Sequence, residues 1–207
     1  MSDPGLLLKI LIIAPPTLLA IILHEIMHGV VANRLGDDTA AKAGRLTLNP
    51  LPHIDPLGSV VLPLLLTLTG SQYIFGWAKP VPVKFGNLRN PKRDMVAVAL
   101  AGPATNVVLA LVSAVAAHQF HALHWAIATA MAVVGVQINI VLAVFNMIPI
   151  LPLDGGRVLF GLLPREPALV FARMEPYGMF IVMGLLFTGA LSAVLGPVTT
   201  TLLRVLL

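Results

Sequence analysis

The chain alternates long apolar runs with short connections rich in proline, glycine and polar residues. A helix needs about 20 mostly apolar residues to cross a bilayer, and four runs reach roughly that length. The first extends from Leu6 to about Leu35, and Pro15 and Pro16 should kink or restart it. Its second part, Thr17–Leu35, is then about 28 Å long at 1.5 Å per residue. Met95–Ala117, Trp125–Met147 and Met179–Leu203 are the other three. A shorter run, Leu57–Thr69, has 13 residues with Pro63 in its middle, which suits a re-entrant or interfacial segment better than a crossing. Gly44–Asn49 and Lys79–Lys84 alternate over a few positions between turn formers and read as short strands. Prolines confine the second to a sheet edge. The predicted fold is therefore an all-α polytopic membrane protein with about four transmembrane helices, a re-entrant segment and short β-strands near the cytoplasmic face. Residues 1–207 read as a single membrane-embedded domain, with a core at about 17–160 and a C-terminal helix at 179–203.

Composition supports the membrane assignment. Of 207 residues, 57% are apolar and 11% charged, and the mean hydropathy is +0.93. A soluble domain carries about 25% charged residues, so there is too little charge to coat a water-facing surface. Disorder is excluded too, because disordered chains are poor in apolar residues. The net charge of +4 does not indicate a nucleic-acid partner, which needs a basic patch on a soluble fold. The expected surroundings are a lipid bilayer. If Leu57–Thr69 does not cross, segments 33–56, 71–93 and 149–178 share one side and hold 11 of the 13 Lys and Arg, while His118–His124 holds none. By the positive-inside rule that side is cytoplasmic, giving a multi-pass cell-membrane protein. The opening Met1–Gly5 has an acid where a signal peptide would be positive, so no cleaved leader is expected.

The candidate chemistry lies inside the first run. His24-Glu25-Ile26-Met27-His28 is an H-E-x-x-H motif. On a helix, residues four apart share a face, so two imidazoles can bind one ion, and the adjacent glutamate can act as general base toward water. Ionisable groups at membrane depth are functional candidates, because a central charge costs about 2.5–3.5 kcal/mol on insertion scales. With no cysteine in the chain, a third ligand must be His, Asp or Glu. The best candidate is Asp154, which follows Pro149 and Pro152 and precedes Gly155 and Gly156. The plainer alternatives are interhelical hydrogen bonding for His24, Glu25 and His28, and a helix cap in an ordinary turn for Asp154. Two crossings, Met95–Ala117 and Trp125–Met147, return the chain to the face of His28 at Asp154. The active site would therefore lie toward the cytoplasmic side.

The pair H-E-x-x-H and N-x-x-P-x-x-P-L-D-G-G (Asn146–Gly156) resembles the site-2 protease family of intramembrane zinc metalloproteases. The likeness extends to Gly36-Asp37, Gly44–Pro50, His53–Gly58, Gly76–Val83 and Ala101–Asn106, and covers roughly residues 20 to 160. It implies a three-helix catalytic core in one metalloprotease domain, with Zn2+ held by His24, His28 and Asp154 and with Glu25 activating the attacking water. It also implies regulated intramembrane proteolysis of single-span membrane proteins, such as anti-sigma factors or membrane-tethered regulators. The chain shows no PDZ or CBS regulatory domain and reads as a minimal form. The rival class is a membrane metal transporter or an inactive scaffold using the same ligands.

Other polar residues have two readings each. Asn146, placed in the Asp154 motif by the resemblance, is the best candidate to donate to a developing oxyanion; interhelical hydrogen bonding is the alternative. For Asn106 and Asn139 that alternative is the plainer one. Gly102 with Pro103 suits close helix packing. His53 could approach the site but reads more simply as a polar loop residue. His118, His121 and His124 read as interfacial rather than as a second metal site. Lys79–Val83 could offer an edge to an unwound substrate or be a structural hairpin. No feature of the sequence assigns an oligomeric state.

Overall fold

A computed structural model describes residues 4–69 and 76–207. Met1–Asp3, which carry the acid in the N-terminal reading, lie outside the described residues. In chain order the helices are α1 (Pro4–Arg34), the single turn α2 (Thr39–Lys42), α3 (Leu62–Leu68), α4 (Pro91–Ala122), α5 (Ala126–Asn146), α6 (Asp154–Leu162), α7 (Arg165–Ala172), α8 (Glu175–Phe187) and α9 (Ala190–Leu206). Of these, α1, α4 and α5 are long and apolar enough to cross a membrane.

The three long helices pack through small residues. Ala110 and Ala114 of α4 meet Val136 and Ile140 of α5 in a buried cluster. A Cβ on Gly135 would stand 2.7 Å from Ser113 Oγ, so glycine sets the approach there. Lipid tails are as apolar as leucine, so helices in a bilayer associate by such close packing rather than by expelling water. The large side chains point outward instead: Leu7, Leu11, Val108, Val112, Val115 and Ile127 are all exposed, a surface suited to lipid.

Helix α1 runs unbroken through Pro15 and Pro16, contrary to the expected restart. Pro15 and Pro16 lack the amides that would bond the Leu11 and Ile12 carbonyls, yet the helix continues through them. One residue on, Thr17 Oγ1 donates to the Ile13 carbonyl at 2.8 Å. The expected fourth span is not continuous either. Gly189, with φ of +74°, separates α8 from α9, and α7 and α8 meet at a 65° bend. The C-terminal region is thus a set of short helices over the long ones.

The end of α1 and the start of α4 come together at one end of the bundle. Arg89 N–H donates to the Leu35 carbonyl at 3.0 Å, and Ala32, Leu88 and Val98 form a buried cluster with Leu35, Val83 and Phe85 around it. Residues 36–88 therefore leave and rejoin the bundle at the same end. Within them, a π-helical turn (Pro56–Val61) leads into α3. Together they extend about 20 Å at 1.5 Å per residue, short of a bilayer core of about 30 Å.

The described residues contain no β-strand, so the two expected strands are corrected. Residues 46–48 form a bend, whereas 77–84 have no regular secondary structure and join no β-ladder. Prolines 80 and 82 lack N–H donors, and the amides of Trp77, Lys79, Val81 and Lys84 bond other elements. Trp77 N–H donates to Gly58 O at 3.2 Å and Lys79 N–H to His53 O at 2.9 Å. Lys84 N–H donates to Asp37 Oδ2 at 2.6 Å.

Asp37 anchors this segment to the end of α1. It is fully buried and also accepts from the Thr39 hydroxyl and amide and from Asn87 Nδ2 at 3.0 Å. Burial alone would push its carboxyl up, but these four donors hold it below the usual carboxylate value. A carboxyl depressed on folding stabilises the fold above its unfolded pKa of about 3.9, and that contribution disappears as pH falls through the lower folded value. Asp37→Ala should cost about 1–3 kcal/mol at pH 7 by stranding buried donors. Thermal unfolding in detergent between pH 7 and pH 3 should show an acid-dependent loss in wild type that Asp37→Asn lacks.

Candidate metal centre and active site

Helical spacing places His24 and His28 on one face of α1, both buried, with ring centroids 4.7 Å apart. Their Nε2 atoms lie 3.1 Å apart. Asp154 closes the triangle, with Oδ2 3.2 Å from His24 Nε2 and Oδ1 3.4 Å from His28 Nε2. His28 Nδ1 donates to the Val98 carbonyl of α4 at 2.7 Å. His24 Nδ1 lies 2.5 Å from Asn106 Oδ1, also on α4. Asn106 is fully buried and directs its Nδ2 to Asn139 Oδ1 at 2.7 Å and to the Ala20 carbonyl at 3.3 Å. Asn139 in turn donates to the Gly135 carbonyl at 2.8 Å. Both Nδ1 atoms therefore carry the protons, and both Nε2 lone pairs face Asp154.

Asp154 reaches this position because the chain folds back sharply after α5. A Cβ on Gly155 would stand 2.2 Å from Met147 O, and one on Gly156 2.4 Å from Leu151 N, so only glycines let 147–153 lie against the first turn of α6. From the other side Gly178 brings α8 against the Leu151 carbonyl, where a Cβ would stand at 1.5 Å. Arg157 ties α6 to α8 through Glu175 Oε1 at 2.8 Å and covers the Phe85 ring at 4.9 Å. As the first residue of α6, Asp154 also gains from the positive end of the helix dipole.

These residues fit a metal ion. Two imidazole lone pairs and a carboxylate converge with no donor among them, and the buried Asp154 Oδ2 has no hydrogen-bond partner. Among the described residues, His24, His28 and Asp154 are the His, Asp and Glu side chains grouped closely enough to hold a cation, with ligand atoms within 4.8 Å of one another. Gly102 keeps the centre clear: a Cβ there would stand 2.4 Å from His28 Nε2 and 2.6 Å from His24 Nε2. Two histidines and a carboxylate are a ligand set of catalytic zinc, with a position left open.

The centre opens into a cleft of about 520 Å3 lined by Glu25, Val81, Asn146 and Arg157. Glu25 Oε2 accepts from Val81 N–H at 2.8 Å, so one carboxylate oxygen is tethered to the segment 77–84. Asn146, in the last turn of α5, donates one amide hydrogen to the Leu142 carbonyl at 3.0 Å and keeps the other. His53 lies apart from the metal ligands; it is buried, with Nε2 2.9 Å from the Thr47 carbonyl. His118 pairs with the Leu206 carbonyl at 3.2 Å, and the histidine trio forms no metal cluster among the described residues. Backbone groups at Val98 and Val81 carry no sequence signal and were missed. The role of Gly102 in making room for the imidazoles was also missed, though a glycine in the first half of a span was the available hint.

Apolar helices enclosing a two-histidine, one-carboxylate centre beside a glutamate define a membrane-associated metalloprotease. Comparison with known proteins gives the family. Residues 115–189 match peptidase family M50. The chain is 36% identical over 182 residues to YwhC of Bacillus subtilis (strain 168), covering 84% of this chain and 80% of that protein. It is 34% identical over 179 residues to Rip2 of Mycolicibacterium smegmatis and 30% identical over 179 residues to Rip2 of Mycobacterium tuberculosis (strain H37Rv). Both alignments cover 84% of this chain and 66% of the relative. The name of each relative assigns it as a zinc metalloprotease. No solved structure gives a significant match. The chain belongs to peptidase family M50, the site-2 protease family, and its metal is zinc.

Partners that orient a ligating histidine typically account for about 10–100-fold in metal affinity. Asn106→Ala should weaken zinc binding by about that factor, measured by chelator competition on the purified protein. Gly102→Val should abolish stoichiometric zinc, read by metal analysis, while the helical content stays near wild type.

Proposed function

We propose that the protein hydrolyses peptide bonds within or near the transmembrane segments of single-span membrane proteins, with its active site toward the cytoplasmic side. The observation that carries this reading is the position of His24, Glu25 and His28 along a helix long and apolar enough to cross a membrane. Arg34 ends α1 ten residues after His24, about 15 Å along the helix axis. Attack would thus take place below the surface, and a helical substrate must unwind to present its peptide bond. The bias of basic residues toward the connections at this end supports the cytoplasmic orientation.

His24, His28 and Asp154 would hold zinc, a Lewis acid that polarises the scissile carbonyl and makes water a better nucleophile. Glu25 is held at Oε2 by Val81 N–H, so Oε1 takes the proton of the attacking water and passes it to the leaving amine nitrogen. Asn146 offers its second amide hydrogen to the carbonyl oxygen as charge develops there. His24 and His28 keep their Nδ1 protons on Asn106 and Val98 throughout, which fixes ring orientation.

Glu25→Gln keeps the shape of the site and removes the base. It should lower cleavage of a reconstituted single-span substrate by about 10²–10⁴-fold while retaining wild-type zinc content. Cleavage at the wild-type rate by this variant would overturn the assignment of Glu25. Zinc flux into vesicles without proteolysis would instead support a transporter.

A further inference from the structure

A second, smaller cavity of about 170 Å3 opens beside the same centre. His24, Glu25 and Asn146 are its polar lining, and Ile21, Leu142, Trp77 and Met179 give it apolar walls. Glu25, Asn146, Trp77 and Met179 also line the larger cleft, so a peptide lying in the cleft passes the mouth of the smaller cavity. Its size is informative. An apolar cavity of about 150 Å3 holds one benzene molecule, so this one has room for a leucine, methionine or phenylalanine side chain, leaves alanine loose and excludes tryptophan.

The walls are held in place. A Cβ on Gly58 would stand 2.4 Å from the Trp77 ring, so the ring rests directly on the backbone of the Pro56–Val61 turn. Trp77 N–H donates to the Gly58 carbonyl at 3.2 Å and Ser59 Oγ donates to the Trp77 carbonyl at 2.8 Å. Met179 comes from α8, whose position is set by the contact of Gly178 with the Leu151 carbonyl and by the Arg157–Glu175 pair.

We propose that this cavity is a side-chain subsite: it takes one residue flanking the scissile bond, of the leucine, methionine or phenylalanine class, and Trp77 and Met179 set its size. The inference rests on the protease reading above. It goes further by naming a specificity determinant that neither the metal centre nor the general base requires.

The test uses the full chain in liposomes and single-span substrates varied one residue at a time on each side of the cleaved bond, to Ala, Leu, Phe and Trp. At one flanking position, kcat/KM should favour Leu or Phe over Ala by at least about 10-fold, with Trp poorly accepted. Met179→Trp should shrink the subsite and lower the Leu-to-Ala ratio by at least about 10-fold, whereas Met179→Ala should raise the acceptance of Trp. Opposite shifts from two changes at one position, with zinc content retained, are not produced by misfolding. A flat profile at both positions, or Met179 variants that scale all substrates equally, would overturn the subsite while leaving the protease reading intact. Failure of the zinc-loaded wild type to cleave any substrate would overturn both.

Discussion

The structure is organised around three lone-pair donors that face one another inside an apolar bundle. His24 Nε2, His28 Nε2 and the Asp154 carboxylate lie within 3.1–3.4 Å with no proton donor between them. Polar groups buried in this way are costly unless paired, and they are costlier still in a bilayer, where no water substitutes. A divalent cation resolves the conflict, and the neighbouring polar groups are arranged for that outcome. The Val98 carbonyl and the Asn106–Asn139 relay occupy the outer nitrogens of the two imidazoles, leaving the inner ones for metal. Gly102 removes the one side chain that would fill the space.

The same constraint accounts for how the helices are held. Two ligands come from α1 and the third from α6, so α1, α4, α5 and the turn after α5 must remain in register. Close packing of Ala110, Ala114 and Gly135 between α4 and α5 supplies that rigidity, and Gly155, Gly156 and Gly178 let the turn and α8 approach the centre. The segment 77–84 links the centre to the end of the bundle. One amide restrains Glu25 and another, three residues on, is held by Asp37. The carboxylate proposed as the base, Glu25, and a structural one, Asp37, both in or just after α1, thus position one stretch of backbone.

Much of this was legible in the sequence because the periodicities involved are local. The four-residue spacing of His24 and His28, the prolines and glycines around Asp154, and the apolar lengths of α1, α4 and α5 each depend on neighbours along the chain. Where the sequence reading failed, a non-local contact had intervened. Lys79–Lys84 alternates like a strand, but its amides are taken by His53, Glu25 and Asp37 rather than by a partner strand. The run 179–203 is mostly apolar, yet a break at Gly189 divides it into two helices. Asn106 and Asn139 read as interhelical links; that Asn106 also orients His24 follows from the approach of α4 to α1.

By itself the sequence determined the membrane class, the three long helices, the motif on α1 and the absence of any thiolate ligand. Each of these rests on composition or on spacing within a single helix. Only the tertiary structure decided how closely Asp154, the third ligand expected from the sequence, approaches both imidazoles, which nitrogen of each imidazole carries the proton, and which backbone amide restrains Glu25. Those depend on distances of about 3 Å between separate elements, and such distances follow from how small residues let helices approach rather than from any pattern along one of them.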